Sequence, residues 1–180
     1  MIIGFTGKAG SGKDTAADYL VSKYGFEKVS FAAILKKMLA AAGMPEPSNR
    51  DDKEKLIDGL GFTWRHAAQT LGTEWGRQCL GEDVWVNLTM KSLDPNKNYV
   101  FSDVRFDNEA EAILWQESTH TKGYVVKLNG RGVDLGGSSG HASESDIDAF
   151  LISHTYNNNM PTVYLYEYLD KLMRDLIGDE

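Results

Sequence analysis

Cysteine is almost missing from this sequence: Cys79 is the single one in 180 residues. A lone thiol cannot close an internal disulfide and fits a reducing cytoplasm, with Cys79 itself reading as a small buried hydrophobe. Prolines number only four, within a 42% hydrophobic, 25% charged composition of the kind found in soluble globular chains. Apolar runs long enough to cross a membrane are lacking, and the first residues enter a strand without a basic leader, so no membrane segment and no signal peptide are expected. An excess of positive charge is lacking too. The net charge of −7 argues against a protein that coats nucleic acid through its phosphate backbone. The distribution is uneven: residues 1–40 carry a net +3, whereas 141–180 carry −6. Local positive charge on an acidic chain suits a small anionic ligand better than a polyanion. The length suits one domain with a sizeable core and room for a small inserted subdomain.

What is present begins at the N-terminus. Gly7, Lys8, Ala9, Gly10, Ser11, Gly12, Lys13, Asp14 and Thr15 follow a short apolar run and lead into helical periodicity. Strand, glycine-rich turn, helix is the context required by G-x-x-x-x-G-K-[ST], the phosphate-binding P-loop. Glycines let successive backbone N–H groups converge on phosphate oxygens, and the helix start adds unsatisfied N–H groups and a positive dipole end. Lys13 can then reach the terminal phosphates. Where the pattern has Ser or Thr to face Mg²⁺, this chain has Asp14, with Thr15 one step later.

Along the chain, residues 2–6 (IIGFT) read as a buried parallel strand. A helix follows, with Ala17, Leu20, Val21 and Tyr24 on its apolar side and an end near Gly25. Residues 27–31 (EKVSF) predict a second strand and 31–42 a second helix, stopped by Gly43 and Pro45. Strand–helix alternation with short joins implies a parallel α/β sheet flanked by helices. Residues 44–94 break the alternation and predict an all-helical insertion: a short charged helix near 51–58, a helix over 63–80, and another through Val84 and Leu88, with Thr63 and Asp83 as candidate caps. The sheet resumes at 99–102 and 124–128 around a helix over 107–118; 149–155 (AFLISHT) reads as the last strand, and a closing helix runs through Leu165 to Ile177. The core is thus 1–43, 95–128 and 146–180, giving five strands. Residues 129–145 hold five glycines and almost nothing apolar, the composition of a lid.

Asp103 ends a strand on the edge of the sheet that carries the loop, where ligands sit in open α/β folds. A carboxylate there can hold the water shell of Mg²⁺ or accept a proton; an N-cap is its other reading. Arg105 stands two residues on, placed to meet a phosphate, and Asn108 and Glu109 open the next helix. Arg65, Gln69, Thr73 and Arg77 repeat at i+4 and share one helix face. That face is either plainly solvated or a substrate surface, with guanidiniums for phosphate and an amide for a base edge. In the glycine-rich segment, Arg131 is a candidate to stabilise a transferring phosphoryl, and His141 is a hinge, a cap or a ligand-facing group. Trp64, Trp75 and Trp85 could stack on a base, but core packing is the stronger reading for each.

GKAGSGKDT at 7–15, SFAAILK at 30–36, RHAAQTLGTEWGR at 65–77 with Trp85, SDVRFDNEAEAI at 102–113 and HASE at 141–144 together resemble the deoxynucleoside monophosphate kinases of bacteriophages. The resemblance spans most of the chain in order, and the GKD-T form of the loop is usual in that family. It implies a P-loop kinase of adenylate kinase-like fold that moves the γ-phosphoryl of ATP, with Mg²⁺, to a deoxynucleoside 5′-monophosphate. By that resemblance the loop binds ATP, Asp14, Thr15 and Asp103 serve the metal, and Lys13, Asp103, Arg105 and Arg131 are catalytic. Ser30, Phe31, Lys36, Arg65, Gln69, Thr73, Arg77, Trp85, Arg105 and Glu109 would bind the acceptor. It also implies a monomer or homodimer with no polymeric nucleic acid and no membrane as partner, working in the host cytoplasm if phage-encoded. Two other readings stay open: a P-loop kinase of another small acceptor, such as a sugar acid or coenzyme precursor, and a nucleotide-binding switch. The guanine-reading N-K-x-D motif is absent, which weakens a GTP-binding switch.

Overall fold

The computed structural model describes residues 1–115, 122–130 and 147–178. They form five strands, β1 (Ile2–Thr6), β2 (Glu27–Val29), β3 (Tyr99–Phe101), β4 (Gly123–Asn129) and β5 (His154–Asn157), all in one sheet of order β2-β3-β1-β4-β5. Every pairing is parallel. The chain divides into two compact units, one of residues Met1–Ser30 and Leu93–Glu180, the other Phe31–Ser92.

The sheet unit is built on β1, whose five residues are all buried because strands flank it and helices cover both faces. Side chains alternate across the sheet. Ile3 and Phe5 pack with Ala16, Ala17 and Leu20 of α1 (Lys13–Tyr24) and Leu165, Leu169, Leu172 and Met173 of α7 (Thr162–Gly178). On the opposite face Gly4 lies against Ile113 of α6 (Asp107–Leu114): a Cβ there would come within 2.5 Å of the Ile113 side chain. The helix α1 shows three buried residues, Ala16, Ala17 and Leu20, while Val21 of the expected stripe is exposed.

The helical unit contains α2 (Ala33–Ala41), α3 (Arg50–Lys53), α4 (Trp64–Gln69), a π-helix over Thr70–Leu80 and α5 (Val84–Met90). Thr63 caps α4 through a bond from the His66 N–H at 3.0 Å; Asp83 stands before α5 without a side-chain capping bond. Leu35 and Leu39 of α2 pack with Trp64 and Trp85, so α2 belongs to this unit. This compact unit thus takes in α2 as well as residues of the stretch 44–94.

The sequence reading needs correction at several further points. β2 stops at Val29, leaving Ser30 and Phe31 outside it, because its partner β3 ends at Phe101 in register with Val29. The short charged helix covers Arg50–Lys53. Within 63–80 the helix widens after Gln69 to i→i+5 bonding, a form normally confined to short bulges. Cys79 is exposed on it, its Sγ 3.2 Å from the Glu74 carbonyl. Of residues 149–155 only His154 and Thr155 are strand. Asp148 caps a 3₁₀ turn over Ala149–Leu151, accepting from the Phe150 N–H at 3.0 Å, and β5 lies further on at His154–Asn157. β5 is an edge strand of alternating half-buried and exposed residues, so its signal was not apolar content. The helix expected over 107–118 is seen as Asp107–Leu114; residues 116–121 and the lid positions 131–145 lie outside the described residues.

Asp170 ties α7 to α1. Its carboxylate accepts from Lys23 Nζ at 2.7 Å, Tyr19 Oη at 2.8 Å and Tyr24 Oη at 2.9 Å. The Lys23 hydrogen bond, helped by the two phenols, holds the Asp170 carboxyl down at about 2. A carboxyl lowered in the folded state stabilises it fully above the unfolded value near 3.9 and stops doing so as pH falls through about 2. Asp170→Asn is therefore expected to be less stable than wild type to urea at pH 7, with the difference shrinking as the pH is lowered from about 4 towards 2. An unchanged difference across that range would refute the linkage.

Candidate active site

Loop 7–12 leaves β1 at the carboxyl end of the sheet, between the ends of β3 and β4. Two of its glycines are required by geometry. Gly7 has φ 133°, and a Cβ there would stand 2.3 Å from the Leu128 carbonyl oxygen. Gly12, at φ 101°, is the left-handed residue from which α1 starts, and its Cβ would stand 2.5 Å from Asn158 Nδ2. The Ser11 N–H donates to the Lys8 carbonyl at 3.1 Å, closing the turn.

Lys13 folds back over the loop, donating from Nζ to the carbonyls of Gly7 at 2.7 Å and Lys8 at 2.8 Å. Burial lowers its pKa and the Arg105 guanidinium lowers it further, against the opposing pull of Asp14 and Asp103. Three of the candidates named from sequence, Arg105, Asp14 and Asp103, therefore sit within electrostatic reach of the Lys13 ammonium. Asp14, on the first turn of α1, accepts at Oδ1 from Lys28 Nζ at 2.9 Å and from Ser102 Oγ at 2.8 Å. Burial works to raise its carboxyl, but the bonds from Lys28 and Ser102, with the charges of Lys28 and Lys13, hold it below the usual range. Ser30 Oγ donates to Asp103 Oδ2, so the residue after β2 meets the residue after β3. Thr15 is exposed beside Asp14. Among the described residues no group of three or more His, Cys, Asp or Glu is gathered as a ready metal cluster.

Glu109 turns to the backbone of its own helix start. It is buried, at 4% exposure, and its Oε2 accepts from the backbone N–H of Arg105 at 2.8 Å and of Phe106 at 3.3 Å. This is the reach-back half of a capping box, and it fixes the chain that carries Arg105. Two more acceptor candidates are likewise packed away. Trp85 is 3% exposed, its Nε1 donating to the Gly72 carbonyl at 2.8 Å and its ring 2.4 Å from where a Cβ on Gly76 would stand. Phe31 is 2% exposed. In the helical unit Arg65 is ion-paired with Glu54 and Lys36 with Glu46 at 3.1 Å, Arg77 donates to the Glu82 carbonyl at 3.0 Å, and Gln69 and Thr73 are half-buried. Trp64 is buried with a bond to the Met44 carbonyl at 3.2 Å, and Trp75 is 42% exposed. Arg131 and His141 lie outside the described residues.

Sequence reasoning missed Lys28, Ser102 and Asn158. Asn158, just after β5, is buried and donates from Nδ2 to the Ser11 carbonyl at 2.9 Å. Its only sequence signal is a place in the Asn157–Asn159 run at a strand end.

A parallel sheet whose central strand runs into a glycine loop ending in lysine is the P-loop fold. Shikimate kinase from Acinetobacter baumannii, solved in complex with shikimate, matches with a TM-score of 0.51 over 99% of this chain and 94% of its own. At 13% identity that likeness concerns the fold alone. No family model matches the chain. Two curated relatives do. A mimivirus (Acanthamoeba polyphaga mimivirus) protein described as a deoxynucleotide monophosphate kinase is 33% identical over 153 residues, 74% of this chain and 76% of its own length. The deoxynucleoside-5′-monophosphate kinase of Escherichia phage T5 is 29% identical over 142 residues, 74% of this chain and 56% of the phage protein. The chain belongs to the deoxynucleoside monophosphate kinase family. No helix among the described residues is long and apolar enough to cross a membrane.

Glu109→Ala would strip the acceptor from two backbone N–H groups, so a stability loss of about 1–3 kcal/mol is expected by urea unfolding. A loss below about 0.5 kcal/mol would contradict the buried cap.

Proposed function

We propose that the protein transfers the γ-phosphoryl of ATP to the 5′-phosphate of a deoxynucleoside monophosphate, giving ADP and the deoxynucleoside diphosphate. The observation that carries the donor half is Lys13, poised on loop carbonyls with Arg105, Asp14 and Asp103 close enough to set its protonation. The acceptor class is supported by what the mimivirus and phage T5 relatives are described as phosphorylating. Those descriptions favour a nucleotide acceptor over a sugar acid, a coenzyme precursor or a switch without transfer.

In this reading the N–H groups of 7–12 and the start of α1 hold the donor phosphates. Lys13 leaves the Gly7 and Lys8 carbonyls for them, since an ammonium finds stronger partners in anionic oxygens. An oxygen of the acceptor phosphate attacks the γ-phosphorus, the bridging bond to the β-phosphate breaks, and ADP leaves. The acceptor is already anionic near neutral pH, so no strong base is needed and positioning with charge neutralisation supplies most of the rate. Arg105, held at its backbone by Glu109, is exposed and free of steric cover for a phosphate. Arg65, Gln69, Thr73 and Arg77 bind the acceptor, with Arg65 exchanging the Glu54 carboxylate for the ligand; Lys36 and Ser30 support that binding. Arg131 is the lid cation that meets the ATP phosphates.

Asp14, Thr15 and Asp103 offer hard oxygen donors, the set that Mg²⁺ takes, and Asp14 is ionised at neutral pH. These residues would hold Mg²⁺, which would supply positive charge to neutralise the phosphates. The lone cysteine and the phage relative support a cytoplasmic setting, inside an infected host if the chain is virus-encoded, as a monomer or homodimer.

A coupled ADP-release assay with Mg·ATP against a panel of deoxynucleoside and nucleoside monophosphates is expected to show turnover with at least one deoxynucleotide; none with any member would refute the reading. Lys13→Ala is expected to fold normally and lose about a hundredfold or more in turnover. Near-normal turnover in that variant would remove the phosphate loop from the mechanism.

A further inference from the structure

We propose that Asn158 is a positioning residue for the donor-phosphate loop, fixing the peptide between Ser11 and Gly12 so that its N–H faces away from the protein interior. The inference rests on reading 7–15 as that loop. A trans peptide points its C=O and its N–H in opposite directions, and none of the described bonds is cis. The Ser11 carbonyl accepts from Asn158 Nδ2 at 2.9 Å, and Asn158 is 4% exposed. The carbonyl is therefore turned inward, and the Gly12 N–H outward, the direction from which an anion approaches.

The clamp is itself anchored. The Asn158 backbone N–H donates to the Asn129 carbonyl at 2.7 Å, tying it to the end of β4. Its amide also lies against the turn that starts α1, since a Cβ on Gly12 would come within 2.5 Å of Nδ2. The loop has few means of its own to fix this peptide: Gly7, Ala9, Gly10 and Gly12 carry no side chain able to hydrogen-bond, and Ser11 Oγ is buried without a hydrogen-bond partner. Asn158 Oδ1 is buried without one as well. A buried amide satisfied on one side only is a cost an apolar residue of similar size would avoid, so the bond to Ser11 is the physical reason for asparagine here.

The test uses Asn158→Asp, which puts an oxygen in place of the donor, and Asn158→Ala, which removes the group. Circular dichroism and thermal unfolding establish folding, steady-state kinetics give KM for ATP and for the acceptor separately, and calorimetry measures binding of inorganic tripolyphosphate. The expected result is folded variants whose KM for ATP rises about tenfold or more, with tripolyphosphate binding weakened in parallel and acceptor KM within about twofold of wild type. Folded variants with wild-type ATP KM and tripolyphosphate affinity would overturn the proposal. So would an equal rise in both KM values, or failure of both variants to fold, each of which makes Asn158 a general structural residue. Lys13→Ala separates the two levels: if it keeps turnover the donor-loop reading falls, whereas an inactive Lys13→Ala beside unaffected Asn158 variants removes only the role of Asn158.

Discussion

A loop made of glycine and small residues cannot hold its own shape, so its neighbours must impose it. In this protein they do so by contact at atomic closeness. The Leu128 carbonyl occupies the space a side chain on Gly7 would need, and the Asn158 amide that of Gly12. The lysine at the loop's end closes it from above, through the Gly7 and Lys8 carbonyls. The ends of β4 and β5 are therefore as much a part of the loop as its own sequence, and they reach it because β1 is the central strand.

The same strand ends gather the charges. Residues after β2 and β3 meet through Ser30 and Asp103, and Ser102 and Lys28 hold Asp14 on the first turn of α1. The chain that carries Arg105 close to Lys13 is held by a buried carboxylate, Glu109. Asp14 and Asp103 oppose the effect of Arg105 on Lys13, which makes neighbouring cations tolerable. The helical unit shows the same economy of position: α4, the π-helix and α5 are locked around Trp64 and Trp85.

Much of the fold was legible in the chain. The buried run of β1, the glycines, and the stripes of α2 and α7 follow directly from period and residue type. β5 was misplaced because edge strands need little apolar content, and AFL forms a capped turn. The widening of the helix after Gln69 was not legible either, since α and π spacing share the same apolar residues over so short a stretch. The places of the loop, Asp103 and Arg105 at the carboxyl end of the sheet were readable from motif and strand-end position. That Trp85 and Glu109 are buried against backbone groups was not readable, because residue type alone does not say whether an indole or a carboxylate is exposed.

By itself the sequence determined a glycine loop ending in lysine between a strand and a helix at 7–15, because glycine spacing, lysine and the strand–helix frame are local properties of consecutive residues. Only the tertiary structure decided which distant groups complete that loop. Asn158 lies 147 positions from Ser11, and Ser102 lies 88 from Asp14. Parallel strands bring their carboxyl ends together whatever their separation along the chain, and no local pattern records that meeting.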